Sequence, residues 1–218
     1  VLEKNKATLT SEGSGGALYS YESDVSFVNS ASVRANVATV SGGGCFFQAS
    51  SVSIAESTLA SNKVNGGRGK GGGFSCISST VKVRDSTFES NTAGQDGGAV
   101  SATFCPVILN GVQVTANKAI SGKGGGLNVE LMCEVSIKDT VFESNQAQLF
   151  GGGIFAEEVL NLRVSASTFT KNSAGSQDEN DNGDKGGGGS IATFSSQNIK
   201  IVNTIFNLNR ANGAAGGG

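Results

Sequence analysis

One phrase recurs eight times along the chain: an apolar residue, two variable residues, Asn, one further residue, and then Ala or Val, followed by glycines. The asparagines are Asn5, Asn36, Asn62, Asn91, Asn117, Asn145, Asn172 and Asn209, at separations of 31, 26, 29, 26, 28, 27 and 37 residues. A period between about 20 and 50 residues is typical of solenoids and propellers. We therefore interpret residues 1–218 as a single repeat array.

Composition narrows the classes of protein to which such an array can belong. The 218 residues carry a net charge of −2, with 33 Gly, one Pro, and neither Trp nor His. No stripe of Lys and Arg is present to displace counterions from phosphates, which argues against nucleic acid as a partner. No stretch approaches the roughly 18 consecutive apolar residues of a membrane-spanning helix, so we expect no transmembrane segment. Both ends fall within a repeat and lack the atypical caps of solenoids, which predicts an internal fragment of a longer array.

Each repeat contains short segments with the period of a β-strand. Val135 and Ile137 flank one residue, and the same Val-x-Ile pattern recurs in other repeats. A second short strand ends at the apolar residue of the Asn phrase, and a third follows the glycines. Three strands in about 25 residues favour an all-β parallel β-helix of about eight coils, of which six are complete. Crossovers between parallel strands are overwhelmingly right-handed, which predicts a right-handed helix.

The asparagines and glycines have structural interpretations within this fold. Stacked at one corner, the carboxamides of successive coils can hydrogen-bond to one another, and the predicted ladder contains Asn36, Asn62, Asn91, Asn117, Asn145 and Asn172. Asn also tolerates the left-handed backbone that a tight corner requires. The glycines indicate a corner with positive φ, or one too crowded for a Cβ atom.

The repeat resembles that of the chlamydial polymorphic outer membrane proteins, which combine Phe-x-x-Asn with Gly-Gly-Ala followed by Ile, Leu or Val. Both halves are present at residues 88–91 and 97–100, and the second half is present at 15–18. Other copies depart from the pattern, with Gly-Gly-Gly or with Val or Leu in place of Phe. The resemblance implies a pectin-lyase-like solenoid that serves as an autotransporter passenger and mediates adhesion. Similar repeats occur in large extracellular proteins of algae and protists.

Because many parallel β-helix proteins cleave polysaccharides, an enzyme has to be considered. Glycosidic cleavage usually requires two carboxylates about 5–9.5 Å apart. The outward positions of the Val-x-Ile strands contain no acidic pair, and Glu89 and Glu143 align but are separated by the coil of Thr115. Without His, imidazole-based catalysis and His-ligated zinc are excluded for these 218 residues. We expect the chain not to be an enzyme and to have no catalytic residues.

The longest insertion resembles the first half of an EF-hand calcium loop. Asp178, Asn180 and Asn182 alternate and precede Gly183, while Asp184 adds a further carboxylate. These four side chains, Asp178, Asn180, Asn182 and Asp184, are the candidate ligands for Ca²⁺. Because the twelfth position is Gly189 rather than Glu, the alternative is a solvated acidic loop.

Two of the four cysteines are predicted to be neighbours on adjacent coils. Cys105 and Cys133 each precede the first apolar residue of a Val-x-Ile strand by two positions. Their Cα atoms should lie about 4.8 Å apart, which permits either a disulfide or two stacked free thiols. Cys45 and Cys76 are offset by two positions, and we expect both to point into the core.

These observations favour an extracellular or cell-surface rod with a structural or adhesive role. Its partners would be a protein or glycan at a cell surface, or copies of the chain in an assembly. The loops between Asn and the glycines, above all residues 173–186, vary most and are the expected contact surface. Two alternatives are the subunit of an extracellular filament, such as a flagellar hair, and the non-catalytic part of a carbohydrate-active β-helix enzyme.

Overall fold

The computed structural model describes residues 1–8, 13–175 and 186–212 as a stack of parallel β-coils. Within these residues the strands form four sheets, and neighbours within a sheet are parallel and come from successive repeats. Each sheet thus collects one strand from each repeat along the chain. The predicted all-β parallel β-helix is confirmed.

Sheets I and II contain the strands on either side of the repeated Asn, numbered here in chain order. Sheet I consists of β1 (Leu2–Glu3), β5 (Ser32–Arg34), β9 (Thr58–Ala60), β13 (Thr87–Glu89), β17 (Gln113–Thr115), β21 (Val141–Glu143), β25 (Thr168–Thr170) and β29 (Ile205–Asn207). Sheet II consists of β2 (Lys6–Ala7), β6 (Val37–Ala38), β10 (Lys63–Val64), β14 (Thr92–Ala93), β18 (Lys118–Ala119), β22 (Gln146–Ala147), β26 (Ser173–Ala174) and β30 (Arg210–Ala211).

Sheets III and IV follow the glycines. Sheet III consists of β3 (Leu18–Tyr21), β7 (Cys45–Gln48), β11 (Phe74–Ile77), β15 (Val100–Thr103), β19 (Leu127–Glu130), β23 (Ile154–Glu157) and β27 (Ile191–Phe194). Sheet IV consists of β4 (Asp24–Phe27), β8 (Ser51–Ala55), β12 (Thr80–Arg84), β16 (Val107–Asn110), β20 (Glu134–Lys138), β24 (Asn161–Ser165) and β28 (Ile199–Val202).

The expectation of three strands per coil was wrong, because sheet II is a fourth. Its strands are two residues long, such as β18 (Lys118–Ala119). Two residues cannot display the alternation of apolar and polar side chains by which a strand is recognised in a sequence. The Ala or Val that ends the repeated phrase is the inward residue of this sheet, and Ala93 and Ala174 are fully buried there.

The core fills the interior of the coils with the side chains predicted to point inward. In sheet IV, Val135 and Ile137 are buried and pair in register with Val107 and Leu109 of the preceding coil. In sheet I, Phe142, Phe169 and Phe206 stack face to face along the axis. The ring centroids of Phe142 and Phe169 are 4.7 Å apart with an interplanar angle of 2°.

The glycine corner between sheets II and III combines both of the predicted reasons for glycine. Gly97 has φ of +69°, a conformation that carries a steric cost for residues with a Cβ atom. Gly98 has an ordinary φ, but a Cβ atom there would collide with the backbone of Gly125 and Lys118 in the next coil. In most coils the other three corners each place a non-glycine residue in the left-handed region, as at Ser90 (54°), Phe104 (54°) and Asp85 (47°).

The ladder asparagines do not adopt the left-handed backbone expected of them. The residue before each of them does, for example Ala116 before Asn117 and Ser144 before Asn145, with φ of 54° and 55°. The turn is made one residue earlier, which leaves the Asn side chain free to point into the corner.

Candidate functional site

The repeated asparagines form a continuous ladder inside the corner between sheets I and II. The side chain of Asn91 is fully buried, and its Nδ2 donates to Oδ1 of Asn117 at 3.0 Å and to the carbonyl of Leu59 at 2.9 Å. Its Oδ1 accepts from the backbone N and the Nδ2 of Asn62, both at 3.0 Å. The same pattern links Asn5, Asn36, Asn62, Asn91, Asn117, Asn145, Asn172 and Asn209.

Each interior member of the ladder therefore uses both of its N–H donors and accepts two hydrogen bonds on Oδ1. A buried carboxamide with every group satisfied stabilises the fold, whereas a single missing member leaves its neighbours with unpaired polar groups. Since the pattern accounts for every donor of these side chains, they are structural and are not available to a ligand.

Two further ladders, made of hydroxyls and thiols, were missed in the sequence. At the corner between sheets III and IV, the backbone N of Ser50 donates to Oγ of Ser79 at 3.0 Å. The N of Ser79 donates to Sγ of Cys105 at 3.4 Å, and the N of Cys105 donates to Sγ of Cys133 at 3.2 Å. At the corner between sheets IV and I, Ser57 donates to Ser86 and Thr140 donates to Ser167 in the same way. The available signal was the small polar residue that follows the left-handed residue in most repeats, as Ser79 follows Ser78 and Ser86 follows Asp85.

Cys105 and Cys133 are thus neighbours in one column, where their thiols replace serine hydroxyls. Both are buried free thiols in the structure, and a bond between them stays a prediction. Burial raises the pKa of Cys133 to about 11. A hydrogen bond with the Cys76 thiol lowers the pKa of Cys105, and burial raises that of Cys76. Cys45 and Cys76 pair with Phe74 and Phe47 and are fully buried.

On the outer face of sheet III, the second residue of each strand from β7 to β27 is buried, although the strands alternate like those of the other sheets. The second residue of these strands points away from the core, yet Asn128 and Phe155 are fully inaccessible to solvent. The other buried members are Phe46, Ser75, Ser101 and Ala192. The segments between sheets II and III contribute Lys70, Asp96, Lys123 and Phe150, whose side chains reach residues of sheet III or one another.

An ion-pair network joins these segments to sheet III. The ammonium group of Lys70 lies 3.0 Å from Oδ2 of Asp96 and 3.0 Å from Oε2 of Glu130. The other oxygen of Asp96 accepts from the backbone N of Lys123 at 2.9 Å. Burial of Lys70 lowers its pKa, but the carboxylates of Asp96 and Glu130 outweigh that effect and raise it. Lys70 therefore holds two carboxylates against the sheet as a cation.

Sheet III also contains an acidic pair that was not predicted, because it occupies outward positions of sheet III rather than of sheets I and IV. Glu130 and Glu157 pair in register on adjacent strands. Each carboxylate lies 3.0 Å from a lysine ammonium, Glu130 with Lys70 and Glu157 with Lys123. Lys123 also lies over the ring of Phe155, 4.3 Å from its centroid. Each of the two carboxylates is therefore one half of an ion pair with a lysine from a neighbouring segment.

The structure also bears on the predicted acidic positions of sheet I and on the candidate metal ligands. Glu89, Thr115 and Glu143 lie side by side on three successive strands, in the order that the repeats predict. The candidate calcium ligands Asp178, Asn180, Asn182 and Asp184 lie outside the described residues. Within residues 1–8, 13–175 and 186–212, no group of three or more His, Cys, Asp or Glu side chains is placed to hold a metal ion. The same ranges contain no helix with the length and apolar character needed to cross a bilayer.

Comparison with known families identifies the repeat. Residues 85–103 and 139–157 match the sequence model of the Chlamydia polymorphic membrane protein repeat. These two segments are similar to that repeat. The first match runs from the corner before β13 to the end of β15, and the second from the corner before β21 to the end of β23, so each spans sheets I to III of one coil.

The resemblance inferred from the Phe-x-x-Asn and glycine motifs is confirmed at these two positions. Polymorphic membrane protein repeats indicate a family of outer-membrane and surface proteins. No curated protein and no solved structure matched the chain.

Proposed function

We propose that this chain is a rigid β-helical rod of the cell surface, which presents its lateral faces to a protein or glycan on another cell or in the matrix. The polymorphic membrane protein repeats support the location outside the cell. The ladder of buried asparagines is the single observation that supports the rod, because it ties every coil to the next through the interior.

The proposal includes a non-catalytic role. The one pair of carboxylates found in register on adjacent strands of sheet III, Glu130 and Glu157, is held by Lys70 and Lys123. Such an arrangement supports a structural contact between loops and sheet rather than general acid–base chemistry. A polar, largely exposed sheet IV then provides the surface on which a partner can be held without a reaction.

A bead-adhesion assay tests the proposal directly. Beads carrying the folded chain through a terminal tag are expected to bind cultured cells well above beads carrying albumin. Free chain should compete for this binding, and unfolding the chain on the beads should abolish it. If beads with the folded chain bind no more than albumin beads, or if free chain does not compete, the adhesive role is wrong. Product analysis after incubation with polysaccharides should detect no cleavage.

A further inference from the structure

A groove of about 680 Å³ runs along the outer face of sheet IV, from β16 to β28. Pro106 and Ile108 line one end, and Arg163 and Lys200 line the other. Polar side chains, including Glu134 and the neighbouring Asn161, lie between them. A cavity of several hundred cubic ångströms with a few convergent polar groups is typical of a binding site for a small ligand.

The groove accompanies a change in the corner between sheets III and IV. In the coil of Pro106, four positions separate the last residue of the sheet III strand, Thr103, from the first inward residue of sheet IV, Val107. Five positions separate the equivalent residues Glu130 and Val135, and the same lengthening recurs after Glu157 and Phe194. Immediately after the three longer corners come Glu134, Asn161 and Asn198, all of which line the groove.

Two cations face this groove side by side. Arg163 and Lys200 pair in register on adjacent strands, and both side chains are exposed. Like charges directly opposite each other on neighbouring strands are destabilising. Neither side chain makes an ion pair or a hydrogen bond with any residue in the described ranges. With Glu134 as the one carboxylate of the lining, the groove carries a net positive charge.

We propose that this groove binds an acidic sugar unit of a polysaccharide, with its carboxylate or sulfate group between Arg163 and Lys200. The anion relieves the repulsion between the two cations, and Asn161, Ser136 and Glu134 offer hydrogen-bonding groups to the sugar hydroxyls. The inference rests on the proposed function, since it specifies the glycan that the rod would hold.

The same features argue against an extended acidic peptide as the occupant. Peptides that bind to sheets gain affinity by adding a strand to a free edge. The strand that carries Arg163, β24, is paired with β20 on one side and with β28 on the other, so the backbone beneath Arg163 has no free edge. Recognition there has to come from side chains alone, and the amide and hydroxyl groups of the lining suit a ligand rich in hydroxyls.

Calorimetry on the full chain tests the site with four matched oligomers. An oligogalacturonate supplies carboxylates, a dextran sulfate oligosaccharide supplies sulfates, a dextran oligosaccharide is neutral, and an oligoglutamate is an acidic peptide. We expect at least one of the two acidic oligosaccharides to bind and the neutral one not to bind. The substitutions Arg163→Gln and Lys200→Gln should each weaken that binding about tenfold. The control Lys82→Gln, at the same outward position of β12 outside the groove, should change it less than about twofold.

Four outcomes would overturn the groove assignment, and a fifth would overturn the adhesive rod alone. Binding that is unaffected by the Arg163 and Lys200 substitutions, at unchanged thermal midpoints, would place the glycan elsewhere. Equal binding of neutral dextran would remove the role of the cations, and preferential binding of oligoglutamate would identify the groove as a peptide site. If neither acidic oligosaccharide binds while the beads still adhere to cells, the groove assignment fails and the adhesive rod stands. If an acidic oligosaccharide binds through the groove and the beads do not adhere, the rod's adhesive role fails and the groove stands.

Discussion

Sheets III and IV are adjacent in every coil and alternate in the same way, yet the middle outward residues are mostly buried on sheet III and mostly exposed on sheet IV. On sheet III the outward residues Asn128 and Phe155 are fully buried. On sheet IV the outward residues Lys82 and Arg163 are exposed, and Ile108 keeps 41% of its surface accessible. The difference lies in Lys70, Asp96, Lys123 and Phe150, which reach over sheet III from outside its strands. The alternation of side chains along a strand therefore determines which residues enter the core. Segments from outside the strand determine whether the outward residues are buried or exposed.

Replacing a ladder asparagine should cause the largest loss, and sheet III supplies a matched control. Asn117→Leu removes two donated and two accepted hydrogen bonds, and it leaves the backbone N and one side-chain donor of Asn91 without their acceptor. We expect the free energy of unfolding in urea to fall by about 4 kcal/mol. Asn128 is equally buried, but it makes one hydrogen bond of 3.4 Å, and its Oδ1 has no partner. Asn128→Leu should change stability by less than about 1 kcal/mol. Equal losses in the two variants would contradict the ladder as the source of stability.

Removing the cation that binds the segment of Asp96 to sheet III should have the next largest effect. Lys70→Met leaves the side chain of Asp96, which is 6% exposed, without its cation, and should cost about 3 kcal/mol. The control Lys138→Met breaks an exposed pair with Asp139 and should cost less than about 0.5 kcal/mol.

The pH dependence of the Lys70 effect has a definite sign. Because the pKa of Lys70 is raised in the folded protein, its contribution is fully present below the unfolded pKa of about 10.4. It is lost as the pH rises through the folded pKa. The difference between the unmodified chain and Lys70→Met should therefore shrink only above about pH 10. A difference that is already lost at pH 8 would exclude the ion pairs as its cause.

The buried thiol of Cys45, on the inner face of sheet III, should make the folded protein less stable at alkaline pH. Burial raises the pKa of Cys45 to about 12, so the folded state keeps this thiol protonated while the unfolded chain releases the proton at about pH 8.5. Stability must fall as the pH rises between these values. Between pH 9 and 11, Cys45→Ala should remove about 2 kcal/mol of this loss. Cys105→Ala, at a thiol whose pKa is lowered, should not remove any of it. If the Cys45→Ala variant loses as much stability between pH 9 and 11 as the unmodified chain does, the buried thiol of Cys45 is not the cause of the loss.

Uncovering part of sheet III should have the smallest effect. The ring of Phe150 lies 6.3 Å from that of Phe155 and 5.1 Å from that of Phe194. Phe150→Ser should lower the free energy of unfolding by about 1.5 kcal/mol and speed up proteolysis of the uncovered segment. Phe104→Ser, at a residue that is 47% exposed beside sheet IV, should change neither. If both variants behave alike, the covered and open faces do not differ as described.

The residues with a regular period were the ones that could be predicted from the sequence. The Asn of each phrase and the Val-x-Ile pairs recur at fixed positions, so their stacking follows from the repeat alone. Sheet II was missed because its two-residue strands have no period. The hydroxyl and thiol ladder was missed because Ser79 and Cys105 differ in type at one position.

The outer surfaces could not be predicted, because they depend on contacts between segments of different coils. Lys70 reaches Glu130, which is 60 residues away in the chain. The groove on sheet IV occurs where three corners each have one extra residue, a change that alters no motif. Neither feature can be predicted from the period of the sequence, because both depend on the packing of neighbouring coils.

Exchange of side-chain amide protons with deuterated solvent, followed by NMR, tests the interior ladder most directly. We predict that the Nδ2 protons of Asn62, Asn91, Asn117 and Asn145 persist long after those of the exposed Asn161 have exchanged. Loss of the ladder signals at the same rate as that of Asn161 would contradict a column of buried, fully hydrogen-bonded carboxamides.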